Sequence, residues 1–538
     1  MALFLAQAGN KLYKIDPSTG TPTELTLPTG VTLSTTRKPR FAVLGQWVVM
    51  VNSPSRNLAI DPEGTVRVLI PRAPLSSPIL SASGTGLTGS YSCRASFIVT
   101  GADGEVLMES SLAPISNTVS LTNEGILATG VPVSEDDIDA VRLYRNASGG
   151  TTYYKWIDKD GNEGGNIIDN LADASLSLLP AETGILISLP GTIEGTYLRE
   201  ITAWQNRLWA IDNDIYRRDY VYYTEAGIVY KWPNTLVAHP VGQDEHGVLG
   251  FLPRKNELGL LKRDGVWQVT GTSSTNYRVV QIAGGDARLP GRGGCVSTSS
   301  AIVVDNTGYW LSKDGIYEWS DSGINNISRD QVDPWFTTDT YFNRSRFPNS
   351  FVTFNAVKDV IYWHLAAAGS SAEDRWIGYD RRNRSWFGPH KSGLSVNWTS
   401  TCLTEDNNDL PLVLFGGDDG IVYSANRSAR TDGSSTAIDF DVYGKFHDGN
   451  APDIDHFWGE LSILSKIESG GTLTITPYLG RLNASAGTAI SHTLTTGRER
   501  LRRLGTGALA RLRFSEATNA QDVTIFGYEL PFHELGRR

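Results

Sequence analysis

An all-β protein is what this sequence predicts, and three observations predict it. Glycine (55) and proline (24) punctuate the 538 residues without any collagen-like period. They fall every eight to twelve residues or so, the spacing of short strands joined by turns. Between these stops run segments of four or five apolar or aromatic residues, each opened by a polar turn. Six such segments recur along the chain, and from the second onward their spacing is roughly 50 residues, the length of one four-stranded sheet unit in a radial repeat.

The six copies are Gln46–Met50, Asn206–Ala210, Asn256–Leu261, Thr307–Leu311, Asp359–Trp363 and Asp409–Leu414. In four of them a tight turn ending in glycine leads into a second hydrophobic run: Ala226–Tyr230, Asp264–Trp267, Asp314–Tyr317 and Asp419–Tyr423. Asp-Gly between alternating hydrophobics is a strong hairpin signal, because both central residues of a type I′ turn need positive φ. Near Asp359 the equivalent position is the longer run Trp376–Phe387. Sheet units repeated in this way point to a β-propeller of roughly six blades, whose closed ring leaves no long strand edge exposed. Phe4–Ile15 holds its own hairpin at Gly9-Asn10, and residues 1–30 are expected to add strands to the blade ending near Ser428, closing the ring. Trp209, Trp267, Trp310, Trp319 and Trp363 read as blade core.

The first gap between copies is about three times the others, which requires an inserted domain. In Tyr91–Val99, Cys93, Ala95, Phe97 and Val99 share one face, with Arg94 and Ser96 on the other. Val141–Arg145 and Thr152–Ile157 follow, separated by the turn Ser148–Gly150. A small antiparallel sandwich of the fibronectin type III kind accounts for these strands. After about residue 435 the blade pattern lapses, and runs such as Gly471–Tyr478 and Asp522–Pro531 suggest a separate β-sandwich. The expected organisation is therefore 1–74 propeller, 75–185 insert, 186–434 propeller and 435–538 C-terminal sandwich.

Forty-eight basic against 58 acidic side chains leave a net charge of −10, too acidic for a surface devoted to phosphate. The three cysteines, Cys93, Cys295 and Cys402, lie far apart and offer neither a disulfide framework nor a CxxC pair. The first ten residues lack a basic n-region, and no apolar run approaches membrane-spanning length. Synthesis in a reducing cytosol and no membrane insertion are expected.

Motifs that could carry chemistry are weak. Gly84–Gly89 matches GxGxxG, but phosphate binding needs a strand before it and a helix N-terminus after it; here a strand follows, so it reads as a loop. Gly284–Gly294 lacks the spacing and the Lys-Ser/Thr of a P-loop and reads as a mobile connection, although its Arg288 and Arg292 could touch a partner. Ser312–Trp319 resembles the Asp-box turn of sialidase propellers but is one residue short of it. No pair of carboxylates announces a glycosidase cleft, Asp158–Asn162 lacks EF-hand spacing, and the eight histidines include no HExxH. No catalytic, cofactor or metal residue is predicted. The runs Arg498–Arg503 and Arg511–Phe514 concentrate positive charge. Alternation puts Arg511 and Arg513 on one strand face, which is either the solvated side of a sandwich or a contact to an acidic neighbouring subunit. Nucleic-acid backbone is the third alternative, disfavoured because no aromatics interleave in the sequence.

A propeller interrupted early by a fibronectin-like insert and followed by a β-sandwich resembles the tail nozzle proteins of short-tailed bacteriophages, the packaged-DNA stabilisation proteins. The segments Gly294–Ser300, Gly308–Tyr317 and Ile327–Phe336 carry the resemblance, with support from Gly89–Phe97. It implies a non-enzymatic structural protein of the virion tail, made in the bacterial cytoplasm, six copies of which form a distal ring. The ring would dock on tail adaptor proteins and fibres or spikes, continue the channel for packaged DNA and help retain the genome until ejection. The alternative reading is a receptor- or glycan-binding β-propeller that could also hydrolyse glycans.

Overall fold

The computed structural model describes residues 4–16, 19–52, 56–101, 103–176, 198–212, 219–232, 239–240, 247–273, 275–284, 293–405, 410–425, 431–432, 436–437, 440–467, 472–481, 485–493, 497–516 and 523–535. The protein is all-β: antiparallel sheets make up nearly all its regular structure, and the one α-helix among the described residues is the short Asp333–Thr337. Two compact units divide the chain. One comprises Met1–Glu373, Ile377–Phe387 and Thr401–Val413; the other comprises Asp374–Trp376, Gly388–Ser400 and Leu414–Arg538.

Seven small sheets follow one another as simple meanders, each strand pairing with the next in sequence. The first contains Phe4–Ala8, Lys11–Ile15 and Pro22–Leu25, and the second Arg40–Leu44, Trp47–Val51, Leu58–Ile60 and Val66–Val68. The third contains Leu198–Trp204, Arg207–Asp212, Tyr220–Tyr223 and His239–Pro240; the fourth Gly250–Pro253, Leu258–Leu261, Gly265–Thr270 and Arg278–Gly284. The fifth has Ile302–Val304, Thr307–Ser312, Gly315–Ser320 and Gly323–Asn326, and the sixth Phe351–Asn355, Val360–Leu365, Arg375–Asp380 and Ser385–His390. Trp398–Glu405, Pro411–Gly417 and Val422–Ser424 form the seventh. All six sequence copies fall on the second strand of a sheet, the second through the seventh.

In sheets two to six those strands are mainly apolar because both of their faces are covered. Side chains alternate across a strand, so Trp209 enters the core shared by sheets three and four while Leu208 and Ala210 enter that of sheets two and three. In the same way Trp310 joins the core of sheets four and five, and Tyr309 and Leu311 that of five and six. Leu12, Val31 and Leu33 complete the series by packing with Met50, Leu58 and Ile60 between sheets one and two. The first strands of sheets two to six are also neighbours in order, each beside the next.

Three expectations about the meanders need correction. Residues 1–30 build a separate first sheet, so the described pairs leave no strand of theirs on the seventh. Ala226–Tyr230 is turn and bend; the third strand there is Tyr220–Tyr223. The Asp-Gly pairs do not make type I′ turns either. Ser312 pairs with Gly315, so Lys313-Asp314 forms the loop and neither has positive φ. Both central residues are left-handed instead at Gln205-Asn206 and Asp305-Asn306, between first and second strands.

Between sheets two and three lies the insert, a two-sheet sandwich. Its four-stranded sheet runs in the order Val106–Glu109, Cys93–Thr100, Ala140–Asn146, Tyr153–Asp160, and its three-stranded sheet in the order Ile167–Asp169, Val119–Thr129, Ile79–Tyr91. Cys93, Ala95 and Phe97 face its core with Leu121, Ile126 and Leu143. Val99 and Met108 instead join the core of sheets two and three, so the insert is packed onto the meanders. The GxGxxG run, expected to be a loop, lies inside the bulged strand Ile79–Tyr91, with Gly86 (φ +142°) close against Asn170.

In the second unit, Phe440–Tyr443, Leu509–Glu516, Thr472–Gly480 and Ser485–Ala486 form one sheet, with Ile490–Thr493 also on Thr472–Gly480. Gly497–Gly507, His456–Ile467 and Val523–Glu529 form the other, with Phe532–Glu534 also on His456–Ile467. Leu461, Ile463, Leu473, Ile475, Leu512 and Phe514 fill the space between them.

Candidate functional site

The first strands of sheets two to six border one cavity of about 260 Å³. Arg40 comes from the second sheet, Glu200 and Thr202 from the third, Phe251 from the fourth, Thr298 and Ser299 from the turn ahead of the fifth, and Val352 from the sixth. Arg40 Nε lies 3.0 Å from Glu200 Oε2, and its Nη2 donates to Thr298 Oγ1 and, at 2.7 Å, to Ser299 Oγ. Burial pushes the Glu200 carboxyl above the usual range, an effect opposed by Arg40 and by a hydrogen bond with Thr298. The polar groups come from the second sheet, the third sheet and the turn ahead of the fifth, so the site exists only while these parts stay in register with one another.

Charge elsewhere in the meanders links one sheet to the next. The buried Arg254 donates from Nε to Asn306 O at 2.7 Å, pairs with Glu257 and Asp321, and lies over the Trp319 ring. Its carbonyl accepts the Trp204 indole N–H at 2.7 Å, so one residue ties sheets three, four and five. Arg381 reaches Asp305 at 2.9 Å and Asp359 at 2.7 Å, joining sheets five and six. Lys262 meets Asp219 at 3.1 Å. The indole N–H groups of Trp363 and Trp386 donate to Ser300 O and Ile327 O at 3.1 Å. Hydrogen bonds of this kind satisfy donors that burial would otherwise leave costly.

Of the residues singled out in the sequence, Arg288 and Arg292 lie outside the described residues. Arg511 and Arg513 stand side by side on Leu509–Glu516, whose alternating burial fits the predicted one-face arrangement. Arg513 forks onto Asp441 with two 2.8 Å bonds. The Arg511 guanidinium lies over Tyr443 (4.6 Å), Phe446 (4.7 Å) and Tyr478 (5.3 Å). Aromatics therefore do interleave with these arginines, supplied by neighbouring strands and a loop, where a linear reading could not find them. Tyr443 and Phe446 remain largely exposed. The Asp-box-like turn places Asp314 as a hydrogen-bond acceptor for Tyr317 at 2.9 Å. Asp158 in the calcium-like run is held by Arg142 and Lys155. Cys93 and Cys295 are buried, and burial pushes their thiols up to about 11 and about 12. Among the described residues no group of three or more His, Cys, Asp or Glu could hold a metal ion, and no helix is long and apolar enough to cross a membrane.

Sequence reasoning missed the Arg40–Glu200 pair. Its partners are 160 positions apart; Arg40 opens an otherwise apolar strand, whereas Glu200 sits beside Arg199 in a strand of mixed polarity.

No family model and no curated protein matches the chain. Among solved structures it is similar to the extracellular domain of a hybrid two-component system of B. thetaiotaomicron (8% identity, 97% of this chain and 79% of that one, TM-score 0.28). Others are a surface component of the type-IX secretion system of Porphyromonas gingivalis (10%, 98% and 80%, TM-score 0.28) and an exo-β-1,3-galactanase of Phanerochaete chrysosporium (6%, 97% and 100%, TM-score 0.19).

Proposed function

We propose that this chain is a structural component of a short-tailed bacteriophage tail. Six copies form the distal nozzle ring, which continues the DNA channel and helps hold the packaged genome until ejection. In this reading the serial meanders are blades of one propeller, and the role is mechanical rather than catalytic. The observation that carries it is the order of parts: meanders interrupted after the second sheet by a fibronectin-like sandwich, then resumed, then followed by a second sandwich. That is the order the nozzle resemblance implies. The linking of sheet to sheet by Arg254 and Arg381 suits a body that must bear load without deforming. Arg511, Arg513 and the exposed Tyr443 and Phe446 are the surface we assign to a neighbouring acidic subunit, since Tyr and Arg are favoured interface anchors. Electron microscopy of the purified chain, alone and with tail adaptor proteins, tests the reading. A six-fold ring is the expected result; a protein that stays monomeric in both samples and is absent from virions overturns it.

A further inference from the structure

The cavity at the first strands of sheets two to six has a chemistry that the mechanical role does not use. We propose that it is a binding site for a single neutral sugar ring. Its volume of about 260 Å³ is many times the ~10–15 Å³ that one water needs by this measure, so a ligand the size of one pyranose has room. Arg40 and Glu200 enter together as an ion pair, so the two charges offset each other and a charged ligand gains little there, while a neutral polyol meets both donors and acceptors. Nε and Nη2 of Arg40 are engaged by Glu200, Thr298 and Ser299, which fixes the plane of the guanidinium and leaves Nη1 for a ligand hydroxyl. The hydroxyls of Thr202, Thr298 and Ser299 add groups that donate or accept as a sugar requires. Phe251, which also packs against the core of sheets three and four, is the one aromatic residue of the lining and the partner for the C–H face of a sugar ring. Small ligands favour such concave sites, in which a few polar groups converge beside an apolar wall. The Arg40 and Glu200 side chains keep 25% and 11% exposure, so the cavity opens to solvent.

The site is independent of the ring reading, because all its residues come from one chain. Saturation-transfer NMR and calorimetry on the full chain, with D-glucose, D-galactose, N-acetylglucosamine and L-rhamnose as probes, test it. At least one of the four is expected to bind with a Kd near about 1 mM. Phe251→Ala and Thr202→Val should each weaken that binding at least about tenfold, whereas Lys11→Ala, on the first sheet and outside the cavity lining, leaves it unchanged. Thr202→Val keeps the Arg40–Glu200 pair and is compared at unchanged melting temperature, so loss of binding there is not loss of fold. No transfer from any of the four sugars at tens of millimolar overturns the proposal, as does binding that both cavity substitutions leave intact.

Discussion

The two sandwiches of this chain place their arginines in opposite ways. In the insert, ionisable groups are driven inside and fully occupied. Arg145, with no exposed surface, pairs with Asp169 at 3.1 Å and Asp173 at 2.7 Å, donates to Leu171 O and lies over Tyr91. Glu109 is buried under Ser96, Tyr144 and Arg142. Burial raises the Glu109 carboxyl above its ordinary value even though these partners favour its charged form. In the C-terminal sandwich the side chains packed between the two sheets are aliphatic and aromatic, and the arginines face outward, with Arg498, Arg500, Arg502 and Arg503 all exposed. A buried charge cannot give up its partners without a large penalty, so it specifies structure. An exposed one costs little to redirect, so it is available to a second molecule. The same residue type therefore does different things in the two sandwiches, and substitution should expose the difference.

The sharpest break is Arg145→Ala. Removing the guanidinium strands Asp169 and Asp173 beside a buried cavity, and losing one member of such a network costs about 3–5 kcal/mol. Chemical denaturation followed by hydrogen exchange of the amides around the buried Trp156 should show the insert unfolding at clearly lower denaturant. A midpoint within error of the parent protein would mean that the network is dispensable.

Next in size is the joint between the insert and the second sheet. Asp136, its side chain 1% exposed, accepts from the Arg72 amide at 2.7 Å and from the guanidinium groups of Arg56 and Arg72. Burial alone would push this carboxyl up, but the Arg72 amide and the two arginines outweigh it and hold the group below the usual carboxylate range. Its folded pKa is thus lower than its unfolded one. The stability it contributes is complete above the unfolded value of about 4 and is lost as pH falls through the folded value. Asp136→Asn should cost about 1–3 kcal/mol near neutral pH. It should also flatten the acid limb of a plot of melting temperature against pH, because the titrating group is gone. Equal acid sensitivity in the two proteins would move the origin of that limb elsewhere.

How far these features were legible in the sequence follows from the range of the forces behind them. Alternation and turn chemistry act over a few residues, so the six second strands and the Cys93-Ala95-Phe97 face could be read directly. Partner choice could not. Whether residues 1–30 pair with the last meander or fold upon themselves depends on strands hundreds of positions away. Arg40 meets Glu200, and Arg254 meets Asp321, only because the meanders stack face to face. The run Arg511–Phe514 showed its alternation at once, but Tyr443, Phe446 and Tyr478 reach it from other elements. The turn types were misjudged for a local reason: at Ser312–Gly315 the strand pairing takes in Gly315 and shifts the loop back by one residue.

The smallest expected effect on folding is at this last cluster, and there it discriminates best between the two sandwiches. Arg513 and Asp441 keep 35% and 41% side-chain exposure, so their bond contributes no more than about 1 kcal/mol. Arg511 adds a partly exposed stack of similar size. The double substitution Arg511→Ala, Arg513→Ala should therefore leave the melting temperature within a few degrees of the parent. If the cluster anchors a neighbouring acidic subunit, the same protein should populate smaller species in sedimentation velocity at concentrations where the parent is assembled. Added salt should mimic the substitution, because partly exposed charges are screened within about 10 Å at 0.1 M. Assembly that ignores both salt and the double substitution would return these arginines to the solvated face of an ordinary sheet. A large fall in melting temperature would instead show that the C-terminal sandwich uses its charge as the insert does.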